Sequence, residues 1–279
     1  MSPSAPLTVD SLLSTLATKC LGRPLYLHHE LPSTNAEAMS LAKAGAAHGT
    51  VVVAESQSSG RGRHARVWFS PHGTNVYCSI IARGTGRGIS LSEWLSWVPL
   101  TTALAVAESV RCVTSIPLAL KWPNDLLLHE RKVGGILCES SSASATDAIV
   151  VIGIGLNVNT PRESFPEELR QIAASLLEAS RQSIDRNRLI GQLLFDLEQN
   201  LDELQSHGPA RSLRAYTTRC STLGRRVRIL LGDKRELSGT AEAISADGAL
   251  QVRLLSPSPS SQSLPTIQVR AADVIHVRE

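Results

Sequence analysis

Four short stretches carry polar, charged or glycine residues suited to chemistry, each at the end of a predicted strand or the start of a helix. The most conspicuous is Glu55-Ser-Gln-Ser-Ser-Gly-Arg-Gly-Arg-His-Ala-Arg-Val-Trp68. Gly60 and Gly62 free the backbone to approach a ligand, and exposed N–H groups there can cradle an anion. Arg61, Arg63 and Arg66 carry rigid guanidinium forks that match carboxylate and phosphate, and Trp68 offers a flat face for stacking a base. A basic surface loop that touches nucleic acid would have the same composition, so both readings stand at this point. Lys121-Trp-Pro-Asn-Asp125, followed by Lys132-Val-Gly-Gly-Ile136, places two lysines beside an Asn-Asp pair. That pattern suits a polar site, or a Pro-Asn-Asp turn beside a glycine-weakened strand. Ser33-Thr34-Asn35 is helix-capping chemistry whose remaining polar groups could also meet a ligand. Gly153-Ile-Gly-Leu-Asn-Val-Asn159 contains no dinucleotide-binding glycine fingerprint. The chain has no Walker A sequence and no G-x-S-x-G nucleophile elbow, so its chemistry must be electrostatic and positional.

These stretches need a frame. Val9, Leu12, Leu13 and Leu16 recur at helical spacing, which predicts a helix over about residues 8–20. Leu25 to His28 reads as a strand, and Thr34-x-x-Glu37 as a capping box opening a helix closed by Gly45. Thr50 to Glu55 is a β-branched run expected to be a buried strand, and Asn75 to Ile81 another. Ser92 to Arg111 is a helix expected to break or restart near Pro99. Leu118 to Trp122, Leu126 to Leu128, Lys132 to Glu139 and Ala148 to Leu156 form a succession of strands joined by short turns. Such a succession predicts an antiparallel or mixed sheet. Asp185 opens a helix with Leu189, Leu193, Leu197, Leu201 and Leu204 on one face, and Pro209 to Arg219 is a further helical piece. After Gly224 come short strands with tight turns at Arg226–Leu231, Glu236–Ala243, Ala249–Leu255 and Ile267–Val269, with a Ser/Pro loop at Ser256 to Pro265. This end reads as a small β-barrel. The expected division is a catalytic domain over 1–222 and a barrel over 223–279.

Net charge is only +3, so no broad basic field argues for a nucleic-acid track; the local arginine cluster favours a small anionic ligand. The five cysteines form no C-x-x-C pair, which fits reduced thiols. No secretory pattern opens the chain and no apolar run is long enough to span a bilayer, so a cytoplasmic protein without membrane partners is expected.

Taken in order, Ser33-Thr-Asn35, Gly60-Arg-Gly-Arg63 with Arg66 and Trp68, Lys121-Trp-Pro-Asn-Asp125, Lys132-Val-Gly-Gly-Ile-Leu137 and Gly155-Leu-Asn-Val-Asn159 are far more specific than any one alone. Together they resemble the biotin–protein ligase family, from about residue 26 to the C-terminus. Family members commonly have glycine where this chain has Ala65. Members that double as repressors carry an N-terminal winged helix-turn-helix; about 25 residues precede the match here, so the form without a DNA-binding domain, and no DNA partner, is expected.

The resemblance implies an α+β fold: a mixed sheet flanked by helices, like the class II aminoacyl-tRNA synthetases, with a C-terminal SH3-like barrel. It implies formation of biotinyl-5'-AMP from biotin and ATP with Mg²⁺, then transfer to a lysine of a biotin carboxyl carrier protein. No tightly bound cofactor or protein-held metal is implied, and the chain would be a monomer or homodimer. Ser33, Thr34, Asn35, Gln57, Gly60, Arg61 and Gly62 would hold biotin, with Arg63, Lys132 and Gly135. Arg63, Arg66, Trp68, Asn124, Asp125, Lys132, Asn157 and Arg278 would meet ATP, and Arg63 and Lys132 would carry catalysis. Two alternatives remain open: a lipoate or octanoate ligase or transferase of the same fold, and a non-catalytic biotin sensor. The polar set Ser33, Thr34 and Gln57 suits a ureido ring better than a fatty chain.

Overall fold

The computed structural model describes residues 5–84, 88–144, 147–231, 235–255, 265–270 and 272–277. Most of the Ser/Pro loop, the Gly-Asp-Lys turn after Leu231 and Arg278 lie outside the described residues.

The chain runs α1 (Val9–Thr15), β1 (Leu25–Leu31), α2 (Thr34–Lys43), β2 (Val51–Gln57), β3 (Val76–Gly84), α3 (Leu91–Thr114), β4 (Ala119–Lys121), β5 (Asp125–Leu128), β6 (Arg131–Ser144) and β7 (Asp147–Leu156). It continues through α4 (Leu176–Ser180), α5 (Arg186–His207), α6 (Ala210–Arg219), β8 (Arg226–Leu230), β9 (Glu236–Ile244), β10 (Leu250–Leu254), β11 (Thr266–Val269) and β12 (Asp273–His276). The first seven strands form one sheet in the order β1-β2-β3-β7-β6-β5-β4. Its β1–β2 pair is parallel and its other pairs are antiparallel, so the sheet is mixed as expected. The last five form a separate antiparallel sheet, β11-β10-β9-β8-β12.

The continuous β-branched run in β2 has a simple cause. Val51 and Val53 face the main core with Trp97, Leu193 and Leu197 of α3 and α5, while Val52 faces a second cluster with Ala38 and Ala42 of α2. A strand buried on both faces needs no polar alternation.

Four expectations need correction. α1 ends at Thr15 rather than near 20, because the backbone N–H groups of Lys19, Cys20 and Leu21 donate to the carboxylate of Glu198 on α5, at 2.7, 2.7 and 2.9 Å. The N-cap of α2 is Ser33, whose hydroxyl accepts from Ala36 N–H, and Thr34 is the first helical residue. α3 runs unbroken through Pro99. Proline removes one helical bond at a cost of about 3 kcal/mol, but Trp94, Trp97, Val98, Leu100 and Leu104 around it are buried and offset that cost. β12 was not anticipated at all.

The two sheets are tied by side chains rather than by strand pairing. Trp97 Nε1 donates to Ala246 O at 2.8 Å, and Trp122 Nε1 to Gly248 O at 3.1 Å, so two buried tryptophans grip the β9–β10 turn. Thr222 Oγ1 accepts from Trp122 N–H at 3.1 Å and lies 3.1 Å from His276 Nε2.

A buried ion pair anchors the root of the arginine-rich loop. Arg186 reaches both carboxylate oxygens of Glu55, at 2.5 and 3.2 Å, and also Asn75 O and Ala5 O. Leu7 N–H donates to the same carboxylate at 2.8 Å. Burial pushes the Glu55 carboxyl upward, but the Arg186 bonds, the Leu7 amide and the Arg186 charge outweigh it and hold the group below the usual carboxylate range.

Candidate active site

One face of the large sheet is covered by α2 only in part. Val151 and Ile149 pack under the helix, and the next residues of β7 on that face are Gly153 and Gly155. Gly135 of β6 lies directly beside Gly155. These three positions make a flat glycine floor, and larger residues occupy the space above it. A Cβ on Gly153 would sit 2.1 Å from Asn35 Oδ1, and one on Gly155 2.7 Å from the Trp68 indole. One on Gly135 would sit 3.2 Å from Lys132 Cε. Side chains at these positions would close the cleft.

The cleft has a volume of about 1380 Å³ and opens between the two sheets. Its wall includes Ser33, Thr34, Asn35, Gln57, Arg61, Gly62, Arg63, Arg66, Trp68, Asn124, Asp125, Lys132, Gly135 and Asn157. The stretches singled out from sequence therefore converge on one place. Gly60 does not face it: a Cβ there would meet Ser70 Oγ at 2.6 Å and Trp68 O at 2.7 Å, so this glycine packs against the returning limb of the loop. Arg278 lies outside the described residues.

At one end the groups are neutral and mutually bonded. Gln57 Oε1 accepts from Thr34 N–H at 2.9 Å and from its hydroxyl at 3.2 Å. The Ser79 hydroxyl lies 2.6 Å from Asn35 Oδ1 and 2.8 Å from Thr34 Oγ1, with a single proton to share. Asn35 Nδ2 donates to Leu137 O at 3.1 Å and to Glu139 at 2.8 Å. Glu139 in turn pairs with Arg61 at 3.0 Å, linking the loop to this floor. Ser33, Thr34, Asn35 and Ser79 are buried.

The other end is charged. Lys132 Nζ lies 2.5 Å from Asp125 Oδ1 and 5.4 Å from the centre of the Trp68 ring, a cation–π contact. Lys121 Nζ lies 3.9 Å from the other Asp125 oxygen. Burial lowers the pKa of Lys121, and Lys132 and Arg66 add to that while Asp125 opposes it. Arg63 donates to Asn124 Oδ1 and to Ala272 O, both at 3.2 Å, and Arg66 bonds Asp273. The loop arginines are thus each held by a partner within the chain. His64 and Ala65 have φ of 54° and 58°, a left-handed shape that costs a non-glycine residue about 1–2 kcal/mol. Ala65 therefore holds, at a backbone cost, a turn that glycine would adopt freely.

Some assigned residues are occupied differently from what their motif suggested. Asn157 is buried, and its amide donates to Ala174 O at 3.0 Å, bracing the segment behind the cleft. Trp68 lies flat on Gly155 and beneath Lys132, so its ring is part of the floor's packing. Sequence reasoning missed Ser79, Glu139, Asp273 and His276. Ser79 carried a signal: it is the polar residue inside the apolar run of β3. His276 sits in the cleft wall with its pKa pushed down to about 4, first by burial and then by Lys121 and Arg225. Among the described residues, no group of three or more His, Cys, Asp or Glu side chains is placed to hold a metal.

Comparison with known proteins agrees with this geometry. The Biotin/lipoate A/B protein ligase family profile matches residues 29–157, and the Biotin protein ligase C terminal domain profile matches residues 222–277. A biotin--[acetyl-CoA-carboxylase] ligase of Mycobacterium tuberculosis is 34% identical over 250 residues, covering 88% of this chain and 86% of that protein. The bifunctional ligase/repressor BirA of Bacillus subtilis is 38% identical over 193 residues, 69% of this chain; the match spans 58% of that longer relative. The structure of biotin protein ligase from Aquifex aeolicus in complex with biotin and ATP superposes with a TM-score of 0.74 at 26% identity, covering 93% of this chain and all of that one. With both profiles in register, a relative matched over most of its length and the same fold, the chain belongs to the biotin protein ligase family.

Proposed function

We propose that this chain is an ATP-dependent biotin–protein ligase, which forms biotinyl-5'-AMP and passes the biotinyl group to a lysine of a biotin carboxyl carrier protein. The observation that carries this reading is the polarity of this cleft: a neutral hydrogen-bonding floor at Thr34, Asn35, Gln57 and Ser79 runs into a cationic end at Arg63, Arg66, Lys121 and Lys132. A ureido ring, with one carbonyl and two N–H groups, matches the first end. A carboxylate and a polyphosphate match the second. The Mycobacterium tuberculosis relative is named for the same transfer, and the Aquifex aeolicus neighbour holds biotin and ATP.

The chemistry follows from charge. A carboxylate is a poor electrophile for an amine, so it first attacks the α-phosphorus of ATP, and two anions must meet. Arg63, Arg66 and Lys132 offset that repulsion, and pyrophosphate leaves. Mg²⁺ enters with the nucleotide as part of the substrate. The acceptor lysine then attacks the mixed anhydride at the carbonyl carbon and expels AMP, with no covalent enzyme intermediate. In this reading Ser33, Thr34, Asn35, Gln57, Arg61, Gly62 and Gly135 shape the biotin end. Trp68, Asn124, Asp125 and Asn157 border the nucleotide. Residues 1–222 form the catalytic unit and 223–279 the barrel that closes over the phosphate end. All five cysteines are free, in keeping with a reducing cytoplasm.

The test is incubation with ATP, Mg²⁺, biotin and a carrier domain, followed by mass spectrometry. The expected product is a carrier heavier by one biotinyl group, absent when lipoate replaces biotin. Equal transfer of lipoate would overturn the substrate assignment, and no transfer of either would overturn the ligase.

A further inference from the structure

Asp273 opens β12, where it pairs with Leu230 of β8, so its place is fixed by the small sheet. Its carboxylate, however, serves the loop of the large sheet. Arg66 bonds it directly, His64 Nε2 lies 3.6 Å away and Arg63 Nη1 3.9 Å away. Arg63 also donates to the neighbouring carbonyl of Ala272 at 3.2 Å. The anion is sheltered, with 15% of its side chain exposed, whereas Arg66 is 64% exposed. Three basic side chains from one turn thus converge on a single fixed carboxylate of the other sheet.

An isolated exposed ion pair would carry little weight. Two observations distinguish this one. The side chains it gathers include the arginines assigned above to the phosphates. The turn that bears them has His64 and Ala65 in left-handed conformations, a cost that the outside contact helps to offset beside the turn's own bonds from Gly62 N–H to Arg66 O at 2.7 Å and from Trp68 N–H to Gly60 O at 2.9 Å.

We propose that Asp273 is a positioning residue that stands in for phosphate. Without nucleotide its carboxylate keeps Arg63, His64 and Arg66 gathered at the cleft; when ATP enters, the phosphates take these groups over. The inference rests on the nucleotide reading given above. The exchange favours ATP because a triphosphate carries several negative charges against one, and guanidinium forks fit both anions. Much of the cost of ordering the loop is then met before the ligand arrives.

The test is hydrogen–deuterium exchange on the full chain, comparing the parent with Asp273→Asn and Asp273→Glu. Without nucleotide, amides of residues 61–68 should exchange roughly two- to fivefold faster in Asp273→Asn, as expected for loss of a partly exposed charge pair. Asp273→Glu should restore protection. Added salt should speed the same amides in the parent and change nothing further in Asp273→Asn. With biotin and ATP bound, Asp273→Asn and parent should be alike. Unchanged loop exchange in nucleotide-free Asp273→Asn would overturn the proposal. So would a loss of protection that persists with ligands or spreads through β8 to β12, since that marks a damaged sheet. Calorimetric titration of the parent with ATP checks the functional reading separately: no binding there would overturn the nucleotide assignment, while the nucleotide-free comparison still decides whether Asp273 holds the loop.

Discussion

The two ends of the cleft are built on opposite principles. At the neutral end Thr34, Asn35, Gln57 and Ser79 satisfy one another at 2.6–3.2 Å and are largely buried, so their orientations are set by the fold. At the charged end Arg63, Arg66, Lys121 and Lys132 lean on Asp125 and Asp273 and remain partly open to solvent. A buried network of short bonds is rigid and intolerant of deletion, because a partner left alone keeps its desolvation cost. Half-exposed charge pairs exchange partners easily and respond to salt. Recognition of a fixed ring and handling of a charge that builds up during reaction call for these two different constructions.

The sharpest separation should come from Lys132→Ala. Biotin-dependent ATP–pyrophosphate exchange should fall by about 10²-fold or more, as for other preorganised electrostatic groups, while biotin affinity falls far less. Equal losses in both would erase the distinction between the ends. Ser79→Ala should do the reverse. It strips a donor from buried Asn35 and Thr34 at a cost of about 1–3 kcal/mol, so calorimetry should show biotin binding weakened roughly tenfold with ATP affinity unchanged. Ionic strength offers a gentler probe: raising salt should increase the KM for ATP by about two- to threefold and leave the biotin Kd flat, since only the charged end is screened.

The smallest effect concerns acid. His276 titrates near 4 in the fold against about 6.5 when unfolded, so the fold favours its neutral form. Its contribution is present above about 6.5 and is lost as pH falls toward 4, where the unfolded chain binds the extra proton first. Thermal melts from pH 7 to 4.5 should fall by a few degrees less in His276→Gln than in the parent. Parallel curves would remove His276 from the acid sensitivity of the seam between the sheets.

What could be read in advance depended on how local the cause was. The loop Gln57–Trp68 and the Lys121–Asp125 turn announce themselves because their glycines, prolines and charges sit together in sequence. Glu139 reads as an ordinary strand residue and Ser79 only as a polar break in an apolar run; the pairing of β3, β7 and β6 is what brings them to Asn35. Asp273 follows a stretch with no periodic signal and occupies a strand of four residues, too short to stand out. The end of α1 was misjudged because its competitor, the Glu198 carboxylate, is supplied from α5. Pro99 misled for a related reason, since local propensity was overruled by the tryptophans and leucines packed around it.

The clamp on Glu55 has a practical side. Glu55 lies in β2 two positions before Gln57, and its carboxylate is shared between Arg186 and the backbone of Leu7, while Arg186 also holds Ala5. Ala5 and Leu7 are therefore part of the footing on which the loop Gln57–Trp68 stands, although neither lines the cleft. For anyone preparing this protein, trimming residues 1–8 to tidy an expression product would loosen that footing. A purification tag is better attached elsewhere, or set off from Ala5 by a spacer long enough to leave the clamp undisturbed.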